Sequence, residues 1–396
     1  MIRTNDGLPC FDVGIPTRIV FGAGALEKLA RLPFPGKRCL IVATRGQSIR
    51  RTGTLARVEA LLAGRGIETV LFDRCRSNPV LEDVEEGVEL CRSASVDVVL
   101  GLGGGSALDC AKAISLAAPN TGSLWNYVRG GSGKGLKPAH KPLPVVAIPT
   151  TAGTGSEANP WAVVTNLATR EKIGFGTRDT YPVLSIVDPE LLRTVPADFT
   201  AWQGFDALSH AIEGFLCTSH NVLSDLWALE AVRRLAKSLP IAVTDGGNLA
   251  ARTDTALAST LAGLVEATSN CLSAHSIEHA LSAMRPELVH GRGLLLIAHS
   301  YHEHLIRKGA APERYVALAR ALGRSEAEEP ADFLSALGAL QTACGLRNDR
   351  LSDAGFARED LPEVARIARS SMGHLFRGDP VEVTDEDVLA ILEHAL

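Results

Sequence analysis

From residue 37 to residue 148, short continuous apolar runs alternate with stretches whose apolar residues recur at every third or fourth position. The runs at 37–43, 67–72, 96–101 and 143–148 predict buried strands, and the periodic stretches at 54–64, 82–94 and 106–117 predict helices. Such alternation implies a parallel sheet with helices on its faces. Residues 127–142, rich in Gly, Lys and Pro, predict a mobile surface loop. Beyond about residue 190 the strand signals stop. Amphipathic stretches at 199–216, 222–239, 248–284 (with an interruption), 290–307, 312–322, 330–344, 361–375 and 385–396 predict helices. The expected architecture is an α/β domain over residues 1–190 followed by an all-helical domain over residues 191–396.

Composition narrows this picture without changing it. The chain has 396 residues, 46% of them hydrophobic, enough for two or three domains with real cores. Its net charge of −5 is mild and its Lys and Arg are scattered, so no nucleic-acid partner is expected. The opening residues have no signal-peptide apolar segment, and no apolar run approaches the roughly 20 residues that span a bilayer. Eight cysteines, at positions 10, 39, 75, 91, 110, 217, 271 and 344, show no CxxC spacing and read as reduced thiols. A cytoplasmic protein with no membrane partner is expected.

Two small-residue loops carry the first chemical signal. Gly101-Leu-Gly-Gly-Gly-Ser106 follows a predicted strand and opens a helix, where backbone amides and the helix N-terminus favour a pyrophosphate. It sits at the third strand, not the first, so it is not the usual Rossmann fingerprint. Asp109 and Lys112, one turn along, form either an ion pair or part of a cofactor site. Thr150-Thr-Ala-Gly-Thr-Gly-Ser156 is a second such loop, whose hydroxyls and amides suit phosphate or ribose. Either loop alone reads as a tight turn, but two in one α/β half favour a nucleotide.

The second signal is a set of imidazoles. Asp206 and His210 lie four apart and share a helical face, as do His275 and His279. With His290, Asp206, His210 and His275 offer one carboxylate and three imidazoles, a donor set for Fe²⁺ or Zn²⁺. His220, His374 and His394 read as surface or structural, and His299, His302 and His304 as a solvated helix end.

Taken together, these pieces resemble the iron-containing (group III) alcohol dehydrogenase family. The resemblance rests on Ile19–Ala25, Asn78-Pro79, Gly103–Asp109, Ile148–Glu157, Asp188-Pro189, Gly204–Glu213 and His275–His279 through His290-Gly291. It implies an N-terminal α/β nucleotide-binding domain with a Rossmann-like parallel sheet and an all-α metal-binding domain, the dehydroquinate synthase-like fold. It also implies an NAD(P)-linked alcohol dehydrogenase or aldehyde reductase acting on a small alcohol or aldehyde, usually as a homodimer or larger homo-oligomer. By resemblance Asp206, His210, His275 and His290 are the metal ligands, and His279 is a proton-relay member near the substrate. Asn78, Gly103, Gly104, Gly105, Ser106, Asp109, Thr150, Thr151, Thr154 and Lys172 fall at the cofactor.

Two departures from the family pattern bear on specificity. The interval from His275 to His290 is one residue longer than in many members, and it contains Arg285, which could favour an acidic substrate group or simply face solvent. The loop after the first predicted strand, Ala43–Arg51, has no carboxylate to bind a ribose 2′-hydroxyl. Arg45, Ser48 and Arg50 there could receive a 2′-phosphate, which points to NADP. Two other readings fit the same scaffold: a dehydroquinate synthase-like lyase, which needs a set of basic residues not seen here, and a non-catalytic nucleotide-binding relative.

Overall fold

A computed structural model describes residues 11–346 and 349–396. These residues form two compact units, one of Ile15–Val195 and one of Pro196–Leu396 together with residues 11–14. No helix among them is long and apolar enough to cross a membrane.

The first unit is built on a six-stranded parallel sheet. Its elements are β1 (Arg18–Phe21), β2 (Arg38–Thr44), α1 (Ser48–Arg51), α2 (Thr54–Ala63), β3 (Glu68–Cys75), α3 (Leu81–Ser93), β4 (Val98–Gly103), α4 (Gly105–Ala117), β5 (Val145–Pro149), β6 (Ala162–Asn166), β7 (Glu171–Phe175) and β8 (Leu184–Val187). The sheet order is β1-β8-β5-β4-β2-β3, and β6 and β7 form a separate antiparallel pair. β4 and β5 are buried along their whole length, which is why they read as continuous apolar runs. The chain steps outward from β2 to β3 and then returns to add β4 on the other side of β2. The loops after β2 and β4 therefore flank the point where strand order reverses, the usual ligand position in open α/β sheets. Gly101 lets α4 lie directly on β4, since a Cβ there would stand 3.0 Å from the Leu108 backbone.

Four strands, β1, β6, β7 and β8, have no counterpart among the predicted elements. β8 is a short four-residue run, and β6 and β7 pair locally outside the main sheet. The loop at 127–142 has no helix or strand, but it is tied down: Trp125 Nε1 donates to Ser132 Oγ at 3.0 Å, and Ser132 N donates to Glu171 Oε1 at 2.8 Å.

The second unit contains α5 (Ala197–Leu216), α6 (Val222–Thr244), α7 (Leu249–Thr268), α8 (Ser273–Met284), α9 (His290–Arg307), α10 (Pro312–Ala321), α11 (Asp332–Ala343), α12 (Leu361–Met372) and α13 (Asp385–Ala395). One apolar core runs through it, from Phe205 and Ile212 on α5 to Ile391 on α13. The stretch expected at 248–284 breaks into α7 and α8. His302 and His304, expected at a solvated helix end, are buried instead. His302 Nδ1 lies 3.0 Å from Tyr315 Oη on α10 and His304 Nε2 lies 2.9 Å from Asp387 Oδ1 on α13, so the neighbouring helices cover this part of α9.

Candidate metal centre and dinucleotide loops

On α5, Asp206, His210 and Glu213 recur at helical spacing and share a buried face. On α8, His275, Glu278 and His279 do the same. His290 is the first residue of α9. Gly291 makes this placement possible. A Cβ at that position would run into the carbonyl oxygen of Trp202 and lie 3.2 Å from Asp206 Cβ. Gly293 similarly leaves room for Glu278, whose Cγ would be 2.8 Å from an added Cβ.

These side chains converge. Asp206 Oδ1 stands 3.6 Å from His210 Nδ1, 4.0 Å from His275 Nε2 and 3.5 Å from His290 Nε2. His210 Nε2 lies 3.1 Å from His275 Nε2. A tetrahedral site with metal–ligand bonds of about 2.0–2.2 Å has ligand–ligand edges of about 3.4 Å. Most of the observed separations are too long for hydrogen bonds and close to that edge. The donors thus fit a divalent cation in both chemistry and spacing. They do so in two overlapping triads that share His275: Asp206, His275 and His290 lie within 4.8 Å of one another, and so do His210, Cys271 and His275.

Two further carboxylates hold the imidazoles. His275 Nδ1 pairs with Glu213 Oε1 at 2.7 Å, and Glu213 Oε2 accepts the Leu272 amide at 2.7 Å. Burial pushes the Glu213 carboxyl up, opposed by the hydrogen bonds from Leu272 and His275. His290 Nδ1 pairs with Glu278 Oε2. In both cases one ring nitrogen is taken by a carboxylate while the other turns to Asp206. α8 has no capping side chain of its own, so its first amides are received by acids from elsewhere: Leu272 N by Glu213, and Ser273 N by Asp379 Oδ1 at 3.1 Å. His279 lies beside the cluster, its ring centroid 5.4 Å from that of His290.

Sequence reasoning overlooked Glu213 and Glu278, although helical spacing was signal enough: each lies three residues after a proposed ligand. Glu266, whose Oε2 is 3.9 Å from His210 Nε2, and Cys271 were also missed. Nothing in their spacing marks them: Glu266 lies on the last turn of α7, and Cys271 on the turn between α7 and α8. Arg285 does not fit the acidic-substrate expectation. Its Nη2 bonds Gly355 O and Asp360 Oδ2, both at 3.2 Å, and its guanidinium lies over the Phe356 ring at 5.1 Å.

In the α/β unit the two glycine–threonine loops meet. Thr150 N donates to Gly103 O at 2.8 Å. A Cβ on Gly104 would lie 3.0 Å from Thr151 Oγ1, and one on Gly105 would lie 2.8 Å from Thr154 Oγ1. Gly103 has φ +150°, a conformation that side chains rarely adopt. Asn78, with φ 57°, donates its amide to Ser106 Oγ at 3.3 Å. Asn78, Gly103–Ser106, Thr150, Thr151 and Thr154 thus form one continuous rim around the N-terminus of α4.

Asp109 lies beneath this rim. Its Oδ1 accepts Ser156 Oγ at 2.7 Å and its Oδ2 accepts Val163 N at 3.0 Å. Lys112, fully buried, donates to Ser156 Oγ at 2.7 Å and to Trp161 O at 2.6 Å, and so anchors the same loop. Lys172 is buried on β7 and acts on Asp109 electrostatically. After β2, Arg45 Nε bonds Arg74 O at 2.6 Å and its Nη2 meets Asp83 at 3.4 Å; Arg50 pairs with Asp73 at 2.5 Å, and Ser48 is exposed.

Comparison with known proteins agrees along the whole chain. The family model described as iron-containing alcohol dehydrogenase matches residues 16–189, and that described as Fe-containing alcohol dehydrogenase family, C-terminal, matches residues 200–396. The 1,3-propanediol dehydrogenase of Citrobacter freundii is 32% identical, covering 97% of this chain and 98% of its own. An archaeal alcohol dehydrogenase from a Red Sea brine pool is 32% identical with a TM-score of 0.93, covering 98% of this chain and 100% of its own. The NADH-dependent butanol dehydrogenase A of Thermotoga maritima is 30% identical with a TM-score of 0.87, covering 98% of each chain.

Proposed function

Because this chain belongs to the iron-containing alcohol dehydrogenase family, we propose that it interconverts a small primary alcohol and its aldehyde, with a nicotinamide dinucleotide as hydride carrier and one divalent ion as Lewis acid. The observation that carries this reading is the convergence of Asp206, His275 and His290, whose ligand atoms lie within 4.8 Å of one another, with His210 Nε2 3.1 Å from His275 Nε2. The unit of Ile15–Val195 is proposed as the dinucleotide-binding domain and that of Pro196–Leu396 as the metal-binding domain.

When bound, the ion polarises the substrate oxygen and the nicotinamide gives or takes hydride at C4. The chain supplies the rest. Gly103–Ser106 and the N-terminus of α4 receive the pyrophosphate, and Thr150, Thr151 and Thr154 flank it. Asp109 and Lys112 hold the second loop in place from below. Glu213 and Glu278 fix the rings of His275 and His290 so that Nε2 of each faces the ion. His279, one turn beyond His275, is proposed to move the proton between substrate and solvent.

Two features support NAD(H) over NADP(H). The Thermotoga relative is NADH-dependent by name, and the Arg45 and Arg50 guanidiniums are already paired with Asp83 and Asp73. The lyase alternative gains no support, since the matched relatives are dehydrogenases. The test is net NADH oxidation with a panel of short aldehydes on metal-loaded protein. Stoichiometric oxidation supports the reading; a reaction that recycles the cofactor, or none with any aldehyde, rejects it.

A further inference from the structure

The His210 ring looks two ways. Its Nδ1 faces Asp206 at 3.6 Å, while its Nε2 faces His275 Nε2 at 3.1 Å and Glu266 Oε2 at 3.9 Å. On this second side lies Cys271. α7 ends at Thr268 and α8 begins at Ser273, and the turn between them carries Cys271 into the buried space beside both imidazoles. Its Sγ and one nitrogen each of His210 and His275 lie within 4.8 Å of one another.

The two overlapping triads differ in donor chemistry. Asp206, His275 and His290 offer only oxygen and nitrogen. His210, Cys271 and His275 offer a sulfur and two nitrogens, with the Glu266 carboxylate alongside. A thiolate with two imidazoles suits Zn²⁺, whose bonds to sulfur run to about 2.3 Å. Soft sulfur favours zinc over harder ions. The ion position proposed above and this one share His210 and His275, so an ion in one excludes an ion from the other.

We propose that Cys271 is a metal ligand: with His210 and His275 it forms a second, overlapping position that takes soft divalent ions, Zn²⁺ foremost, and when filled draws both imidazoles away from Asp206 and His290. Binding forms one metal–sulfur bond and releases the thiol proton to solvent, with no change of oxidation state. The bland alternative is a small buried thiol that merely fills space. Against it stands a contrast within the chain. Cys39, Cys75, Cys91, Cys110, Cys217 and Cys344 are also buried, yet among the described residues only Cys271 joins a group with metal-ligand spacing.

The inference rests on the metal reading above, and one experiment separates the two. X-ray absorption at the zinc edge is recorded on the Zn²⁺-loaded full chain and on Cys271→Ser, with competitive Zn²⁺ and Fe²⁺ affinities measured on both. The expected spectrum of the native chain contains one sulfur neighbour at about 2.3 Å. Cys271→Ser loses it, and its Zn²⁺-to-Fe²⁺ affinity ratio falls by about tenfold or more. A native spectrum with nitrogen and oxygen neighbours alone overturns the role of Cys271 and leaves the metal reading standing. A native chain that binds neither ion overturns both. The native spectrum decides the question even if the variant folds poorly.

Discussion

Replacing Glu213 with glutamine tests how the chain makes a metal ligand out of His275. Both Glu213 oxygens are acceptors in a fully buried setting: Oε2 takes the Leu272 amide and Oε1 takes His275 Nδ1, each at 2.7 Å. An amide side chain replaces one of the two oxygens with NH₂, so one of the two N–H donors now faces another donor. If the glutamine keeps its oxygen on Leu272, its NH₂ faces His275 Nδ1 and forces the ring proton onto Nε2, the nitrogen that should bind the ion. If it turns its oxygen to His275, two donors collide at the start of α8. Either arrangement leaves a buried donor unsatisfied or the ligand in the wrong tautomer, at about 1–3 kcal/mol. Metal affinity should therefore fall by about 10–100-fold, the range seen when such supporting partners are removed. The assay is chelator competition for Fe²⁺ and Zn²⁺, with far-ultraviolet circular dichroism to show that the helices persist. Affinity in Glu213→Gln equal to that of the native chain would refute the reasoning.

Other expectations follow from the same packing and electrostatics. Gly291→Ala places a methyl against Trp202 O and near Asp206 Cβ, so the first turn of α9 must retreat with His290. Overpacking of this kind costs about 1–3 kcal/mol, and the melting temperature should drop more in metal-loaded than in metal-stripped protein. An equal drop in both would separate the glycine from the site. Asp379, pushed up to about 7 by burial against the hydrogen bonds from Ser273 and Tyr301, keeps its proton in the folded state to higher pH than when unfolded. Its stabilising contribution is complete below the ordinary carboxylate range and is lost as pH rises through about 7. Asp379→Asn should flatten the fall in urea midpoint between about pH 5 and about pH 8; an unchanged slope would assign that fall to other groups. With Arg45 and Arg50 paired to acids, kcat/KM with NADH should equal or exceed that with NADPH. A preference for NADPH of about tenfold, or 1.4 kcal/mol, would show that these pairs open to receive a 2′-phosphate.

Much of this molecule is legible in its amino-acid pattern, for physical reasons that differ by element. β4 and β5 announce themselves because central parallel strands are apolar on both faces. α5 and α9 do so because a long helix on a core must repeat its apolar positions. The β6–β7 pair stays hidden because its five-residue strands lie outside the main sheet and leave little pattern. At the site, Asp206, His210 and His275 are marked by residue type and helical spacing. Cys271 and Glu266 are not, since only the packing of the end of α7 and of the turn after it decides what they approach. Gly291 shows a different limit. Its neighbour His290 carries the chemistry, but the need for a missing side chain emerges only once α9 is seen against α5. Arg285 illustrates the opposite case, a charge that looks available in the sequence and is held by Asp360 and Phe356 in the fold.

The account stands on one ion held by Asp206, His210, His275 and His290 and needed for turnover. The direct measurement is to strip the protein of metal, return Fe²⁺ in steps, and follow bound metal and NADH-dependent aldehyde reduction together, with His210→Ala alongside. The two quantities should rise in proportion and level off at a single ion per chain, while folded His210→Ala gains neither. Full activity in verified metal-free protein, or in His210→Ala without bound metal, would contradict the central claim.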